Sequence, residues 1–128
     1  MKVFTASEAS TMLPLIKNIV QDILLSGKEL RRLSFDYGED VTVLPEYQKT
    51  SQQLRAYISE LEELGCLYKD YNFTIGLVDF PAIINGQEVF LCWRSDEPRL
   101  MFYHGIDEGF NGRKLIPEEM FYSEVVEV

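Results

Sequence analysis

Apolar residues recur along the first part of the chain at helical spacing. Ala9, Ile16, Ile23 and Leu30 follow one another at intervals of seven, with Met12, Ile19 and Leu33 three positions on and Leu13 and Val20 four. That set covers one broad side of a helix of period 3.6 and predicts a long amphipathic rod. Thr5-Ala6-Ser7-Glu8 ahead of it has the composition of a capping box, in which a hydroxyl accepts from an orphan amide and a glutamate answers three residues later. Pro14 lacks an N–H and its ring meets the carbonyl four residues back, so a kink, or a separate short Ser7–Leu13 turn, is expected there. Gly27 falls on the apolar side, which points to close approach of another backbone. Ser34–Leu44 carries turn chemistry around Asp36-Tyr37-Gly38. Pro45 then suits the first turn of a second helix, with a stripe of Leu54, Tyr57, Ile58, Leu61 and Leu64 and a stop at Gly65.

Beyond Gly65 the period changes from helical to alternating. Phe73–Phe80 is β-branched and aromatic, with Gly76 interrupting it. Asn85-Gly86 stands between Ala82–Ile84 and Glu88–Trp93, and both of its residues tolerate the positive φ of a type I′ hairpin turn. Leu100–His104 predicts a third strand, and Leu67–Tyr71 an edge strand. Gly105–Arg113 holds three glycines in nine residues and reads as an ordered loop. Short connections imply antiparallel pairing. Apolar residues occur on both parities of Glu88–Arg94, so both faces of the sheet are expected to be covered, one by the helices and one by the loop or a partner. The expected fold is α+β: a long antiparallel helical hairpin, residues 6–65, packed on a small antiparallel sheet of three to five strands within residues 67–115. An acidic and apolar extension, residues 116–128, is expected to dock on this domain or on a neighbouring subunit. Two thin helices and a small sheet leave apolar surface over, which makes a homodimer the expected assembly.

Composition narrows the partners. At 128 residues the chain fits a single domain with a core of its own. Net charge is −9, and the excess of acid holds on both sides of Cys66, so no basic stripe exists to neutralise a phosphate backbone. Nucleic acid and anionic membrane are excluded as partners on that ground. No apolar run approaches the ~20 residues of a membrane span, and MKVFTASEAS has no apolar core of a secretory signal. A cytoplasmic location is expected. Two cysteines, Cys66 and Cys92, make no disulfide framework, and Cys92 within Val89–Trp93 reads as a buried inert thiol.

Candidate chemistry gathers in Gly76–Leu115, which holds the sole tryptophan, Trp93, and the sole histidine, His104. Asp79, Arg94, Glu97, His104 and Arg113 are the candidate ligand-binding residues. A structural reading pairs these charges with one another and with loop backbone, because an unpaired buried charge is very costly. A small-molecule reading has the arginines favour an anionic ligand, with His104 beside a carboxylate as general acid or base. A metal reading would take His104 with Asp79, Glu97 or Glu108, but the regular His and Cys spacing of dedicated zinc sites is lacking, so no metal or cofactor is assigned from the sequence.

Phe4-Thr5, Glu8-Ala9, Leu13-Pro14, the run Gly76-Leu77-Val78-Asp79-Phe80-Pro81-Ala82, Gly86, Val89, Leu91-Cys92-Trp93-Arg94, Glu97, His104, Gly109-Phe110 and Gly112-Arg113 together form a pattern. It resembles a small prokaryotic family known only as a domain of unknown function, DUF family 2203. The resemblance runs to about Leu115. The chain departs from the family pattern at Tyr103, where a tryptophan commonly precedes the histidine, and at Asp96, where a glycine precedes the glutamate; the segment from Ile116 onward is extra. The resemblance implies that Asp79, Arg94, Glu97, His104 and Arg113 belong to one shared framework. It implies no activity, cofactor or partner. The expected function is a non-enzymatic interaction module that self-associates; the alternative is a small-molecule-binding domain or enzyme built on those five residues.

Overall fold

In the computed structural model, which describes residues 2–122, the chain enters its first helix through the capping box. The Thr5 hydroxyl accepts from the Glu8 amide at 3.0 Å, and the Thr5 amide donates to the Glu8 carboxylate at 2.9 Å. Helix α1 (Ala6–Tyr37) then runs unbroken for 32 residues. The expected break at Pro14 does not occur. Pro14 is exposed on this helix. The helix also absorbs Ser34–Tyr37, the start of the expected turn, and a 3-10 segment over Gly38–Val43 leads to α2 (Pro45–Glu63), with Pro45 in its first turn as expected. Gly27 makes room for a side chain and not for backbone: a Cβ there would lie 2.4 Å from Cβ of Phe73.

Five strands follow: β1 (Leu67–Tyr68), β2 (Leu77–Ile84), β3 (Gln87–Arg94), β4 (Phe102–Gly105) and β5 (Lys114–Leu115). They form an antiparallel sheet in which each strand pairs with its neighbour in sequence. The architecture is α+β. The β2–β3 hairpin turns on Asn85 (φ 53°) and Gly86 (φ 77°), both in the left-handed region that a type I′ turn requires. Pro81 lies inside β2 without harm, although a proline usually weakens a central strand. Its carbonyl accepts from the Phe4 amide at 2.8 Å, and in a strand the nitrogen of a residue points to the same side as its carbonyl. The missing N–H therefore faces the segment before α1 and leaves the ladder to β3 intact.

Alternation divides the sheet. Val78, Phe80, Ala82 and Ile84 of β2 and Val89, Leu91 and Trp93 of β3 join one apolar core with Ile16, Ile19, Val20 and Ile23 of α1 and Leu54 and Leu61 of α2. The stripe on the first helix lies in this core, where Ile16, Ile23 and Leu33 are fully buried. Ile116 is buried, and Met120 and Phe121 pack against the same core, so this part of the extension docks on its own chain; the expected docking of Val125 and Val126 lies outside the described residues. Among the described residues no helix is long and apolar enough to cross a membrane.

Candidate functional site

The other face of the sheet carries the polar chemistry. Counting outward from the Asn85-Gly86 turn sets Asp79 of β2 directly across from Cys92 of β3. On the far side of β3, Cys92 faces Phe102 and Phe90 faces His104, so His104 stands one side-chain step along from Cys92 on the same face. Asp79, Cys92 and His104 are each buried, and one donor atom from each lies within 4.8 Å of the others. They form one wall of a cavity of about 290 Å³, shared with Lys69, Phe90 and Phe110.

The hydrogen bonds of His104 define what the cluster needs. Nδ1 lies 2.8 Å from the Gly105 carbonyl oxygen, which can only accept, so Nδ1 carries a hydrogen and donates it. Nε2 lies 3.2 Å from each oxygen of the Asp79 carboxylate. With a single ring hydrogen, a nitrogen lone pair would face an ionised carboxylate inside the protein. A hydrogen or a metal ion shared between Nε2 and the carboxylate would satisfy both groups. Cys92 completes the constellation as a third group that binds cations once it has lost its proton. Burial first, and then the negative charge of Asp79, push its thiol up to about 12, so at neutral pH it is no nucleophile.

Behind this wall lies a second pair, partly buried. Arg113 Nη1 donates to Glu97 Oε2 at 2.7 Å, and Nη2 donates to Oε1, which also receives the Arg94 amide at 2.7 Å. The guanidinium is held between two rings, 4.1 Å from the centroid of Phe102 and 4.6 Å from that of Phe110. Its Nη2 also donates to the Cys92 carbonyl at 3.1 Å, which fixes the backbone of the residue that bears the thiol. Glu97 reaches across the sheet as well: its own carbonyl accepts from the indole N–H of Trp93 at 3.0 Å. The glycine loop is held from within, since the Glu108 carboxylate accepts the Gly105 amide at 2.9 Å and lies 2.7 Å from where a Cβ on Gly112 would stand.

Four of the five residues singled out in the sequence thus come together as two pairs, the buried Asp79 with His104 and the partly buried Glu97 with Arg113, joined through Cys92. Arg94 does not join them by its side chain. Its guanidinium turns outward to Asp96, with Nε 2.6 Å from Oδ1, and this pair holds the Asp96 carboxyl below its ordinary value. Cys92, read in the sequence as a buried inert thiol, is buried as expected and stands beside both pairs. The hairpin turn held the signal for this placement, because a two-residue loop sets the register and with it the partner of Asp79.

All of these residues fall inside one family match. Residues 2–116 fit the model of the family described as "Uncharacterized conserved protein (DUF2203)". The chain belongs to that family. The match ends at Ile116, so Pro117–Val128 stands beyond it, and the family description carries no activity to transfer. No curated protein and no solved structure matches the chain.

Proposed function

We propose that this protein binds a divalent transition-metal ion of the zinc class through Asp79, Cys92 and His104, with a coordination position open to the neighbouring cavity. The observation that carries this is the convergence of a buried thiol, a buried imidazole and a buried carboxylate within 4.8 Å. Bonds of about 2.0–2.3 Å around a tetrahedral ion place its ligand atoms roughly 3.5 Å apart, so small rotations would close this set around one ion. The donor types discriminate among metals: a sulfur and a nitrogen suit zinc, whereas calcium and magnesium select oxygens. A metal-bound histidine usually donates its other ring N–H to a carbonyl or carboxylate, which is the role of the Gly105 carbonyl here.

Three protein ligands leave a fourth position for water or a substrate atom, the pattern of catalytic rather than structural zinc. A water so bound loses a proton near neutral pH, which suits the site to hydrolytic chemistry. Lys69 and Glu108 on the cavity wall offer one charge of each sign to a bound molecule. In this reading the two helices lie as a hairpin over the opposite, apolar face of the sheet and serve as its scaffold.

Cobalt substitution tests the reading. Metal-free protein titrated with Co²⁺ should take up one ion and show sulfur-to-cobalt charge transfer together with the intense visible bands of a tetrahedral site. Cys92→Ser should remove the charge-transfer band, and Asp79→Asn and His104→Ala should each weaken binding, with circular dichroism confirming the fold. Absence of a sulfur-linked band in the folded unsubstituted protein, or its persistence in Cys92→Ser, overturns the assignment.

A further inference from the structure

Across the sheet from the metal ligands lies a larger cavity of about 600 Å³, open to solvent along α1. Its apolar walls are Val20, Leu24 and Leu25 on the helix and Phe73 on the facing loop, and it borders Trp93 of β3, which is itself fully buried. Leu25 is 58% exposed, an unusual setting for a leucine in the middle of a long helix. The charged residues on its walls are Lys17, Lys28 and Arg31, all of one sign, in a chain whose net charge is −9. The sign of the groove is therefore opposite to that of the molecule.

The facing wall is fixed in place. Arg31 Nη1 donates to the Asn72 carbonyl at 2.7 Å and Nη2 to that of Phe73 at 3.3 Å. The Asp70 carboxylate accepts the amides of Asn72 and Ile75, each at 3.1 Å. Phe73 is held at φ 56°, a left-handed conformation that a bulky residue disfavours and keeps only where its surroundings impose it. At the end of the loop, a Cβ on Gly76 would lie 2.3 Å from Cγ1 of Val20, so only glycine lets the loop come this close to the helix. Lys17 donates to the Pro98 carbonyl at 2.9 Å. Lys28 makes no hydrogen bond or ion pair among the described residues, which leaves an uncommitted ammonium at the rim.

We propose that this groove binds a single-chain aliphatic carboxylate, with its hydrocarbon chain against Leu24, Leu25 and Phe73, near the buried Trp93, and its head group at Lys28 beside the charge of Arg31. The volume falls within the range of small-molecule sites, and a mostly apolar wall with a few placed charges is their usual composition. A second copy is a poor occupant. A two-fold contact sets the same patch on both subunits, so Lys17, Lys28 and Arg31 would confront their own counterparts.

Dodecanoate, kept below its micellar concentration, is the probe, and the emission of Trp93, the sole tryptophan, is the reporter. Saturable binding is expected, with Lys28→Glu raising Kd about tenfold or more, the effect of losing one charge-assisted contact and adding a repulsive charge. Leu25→Asp, at an exposed position that spares the fold, should also weaken it. Equal affinity for an uncharged amphiphile of the same chain length, or unchanged affinity in Lys28→Glu, overturns the proposal. So does a dimer in sedimentation that Leu25→Asp converts to monomer while dodecanoate leaves the protein unaffected.

Discussion

The two faces of β3 are served by adjacent residues with opposite surroundings. Trp93 turns to the helices, in an apolar core that opens sideways into a wide cationic groove. Cys92 turns the other way, to a small cavity walled by buried polar groups. On the first face, area removed from water holds the molecule together without regard to direction. On the second, buried polar groups depend on specific partners, as Asp79 and His104 do on each other. Stability and chemistry are thus assigned to opposite sides of a single strand. Glu97 binds them to each other, its carbonyl on Trp93 and its carboxylate on Arg113.

Substitutions can separate the two faces. Phe80 is fully buried on the apolar side, so Phe80→Ala should lower the unfolding free energy by about 3–5 kcal/mol in urea titration, through lost burial and the cavity left behind. An effect below about 1 kcal/mol would mean that this face is not the stabilising one. Glu97→Ala strips the partly buried Arg113 of its carboxylate. A cost of roughly 3–5 kcal/mol is expected, and the paired change Glu97→Gln with Arg113→Met should cost less than Glu97→Ala alone, because no unpaired charge remains.

Alkali should act through Cys66, which belongs to the apolar core. Burial pushes its thiol from an ordinary 9.0 up to about 11, and burial also pushes Tyr68 up, whose hydroxyl is buried without a partner. Both groups are neutral when protonated, so the folded state holds their protons more tightly than the unfolded one. Their contribution is complete below the unfolded values and is lost as pH rises; for Cys66 the window is from 9.0 to about 11. Roughly 2–3 kcal/mol is at stake for Cys66, so Cys66→Ala should reduce the fall in unfolding free energy measured between those limits and leave the part due to Cys92, whose thiol is also pushed up by burial. Thr5→Ala removes one half of the capping box at the start of α1 and should cost about 1 kcal/mol by thermal or urea unfolding. The smallest effect belongs to Asp96→Ala: its pair with Arg94 is largely exposed, and the denaturation midpoint should not move.

The elements legible in the sequence are those set by local chemistry. The stripe on α1, the Thr5–Glu8 box, Pro45 and the Asn85-Gly86 turn each depend on residues a few positions apart, and each stands where its spacing placed it. Pro14 leaves the helix continuous, so the separate Ser7–Leu13 turn does not form. Asp79 opposite Cys92 could be counted from the hairpin turn. His104 could not, since the long connection from Arg94 to Phe102 sets no register. The outward turn of Arg94 was hidden for another reason: Asp96, two residues away, competes for the guanidinium at a smaller loss of side-chain freedom.

The neighbour-to-neighbour order of the sheet has a consequence for how the molecule forms. His104 and Asp79 are 25 residues apart, and every strand pair is closed by the segment that directly joins its two members. Loops that short close at little entropic cost, and chains rich in such contacts fold quickly for their size. The ligand set should therefore assemble hairpin by hairpin, without awaiting the N-terminal residues. The bridge from Phe4 to Ala82 is the exception, because it joins the start of the chain to the middle of the sheet. In hydrogen-exchange or refolding experiments that bridge should be among the last contacts to gain protection, well after the β2–β3 hairpin.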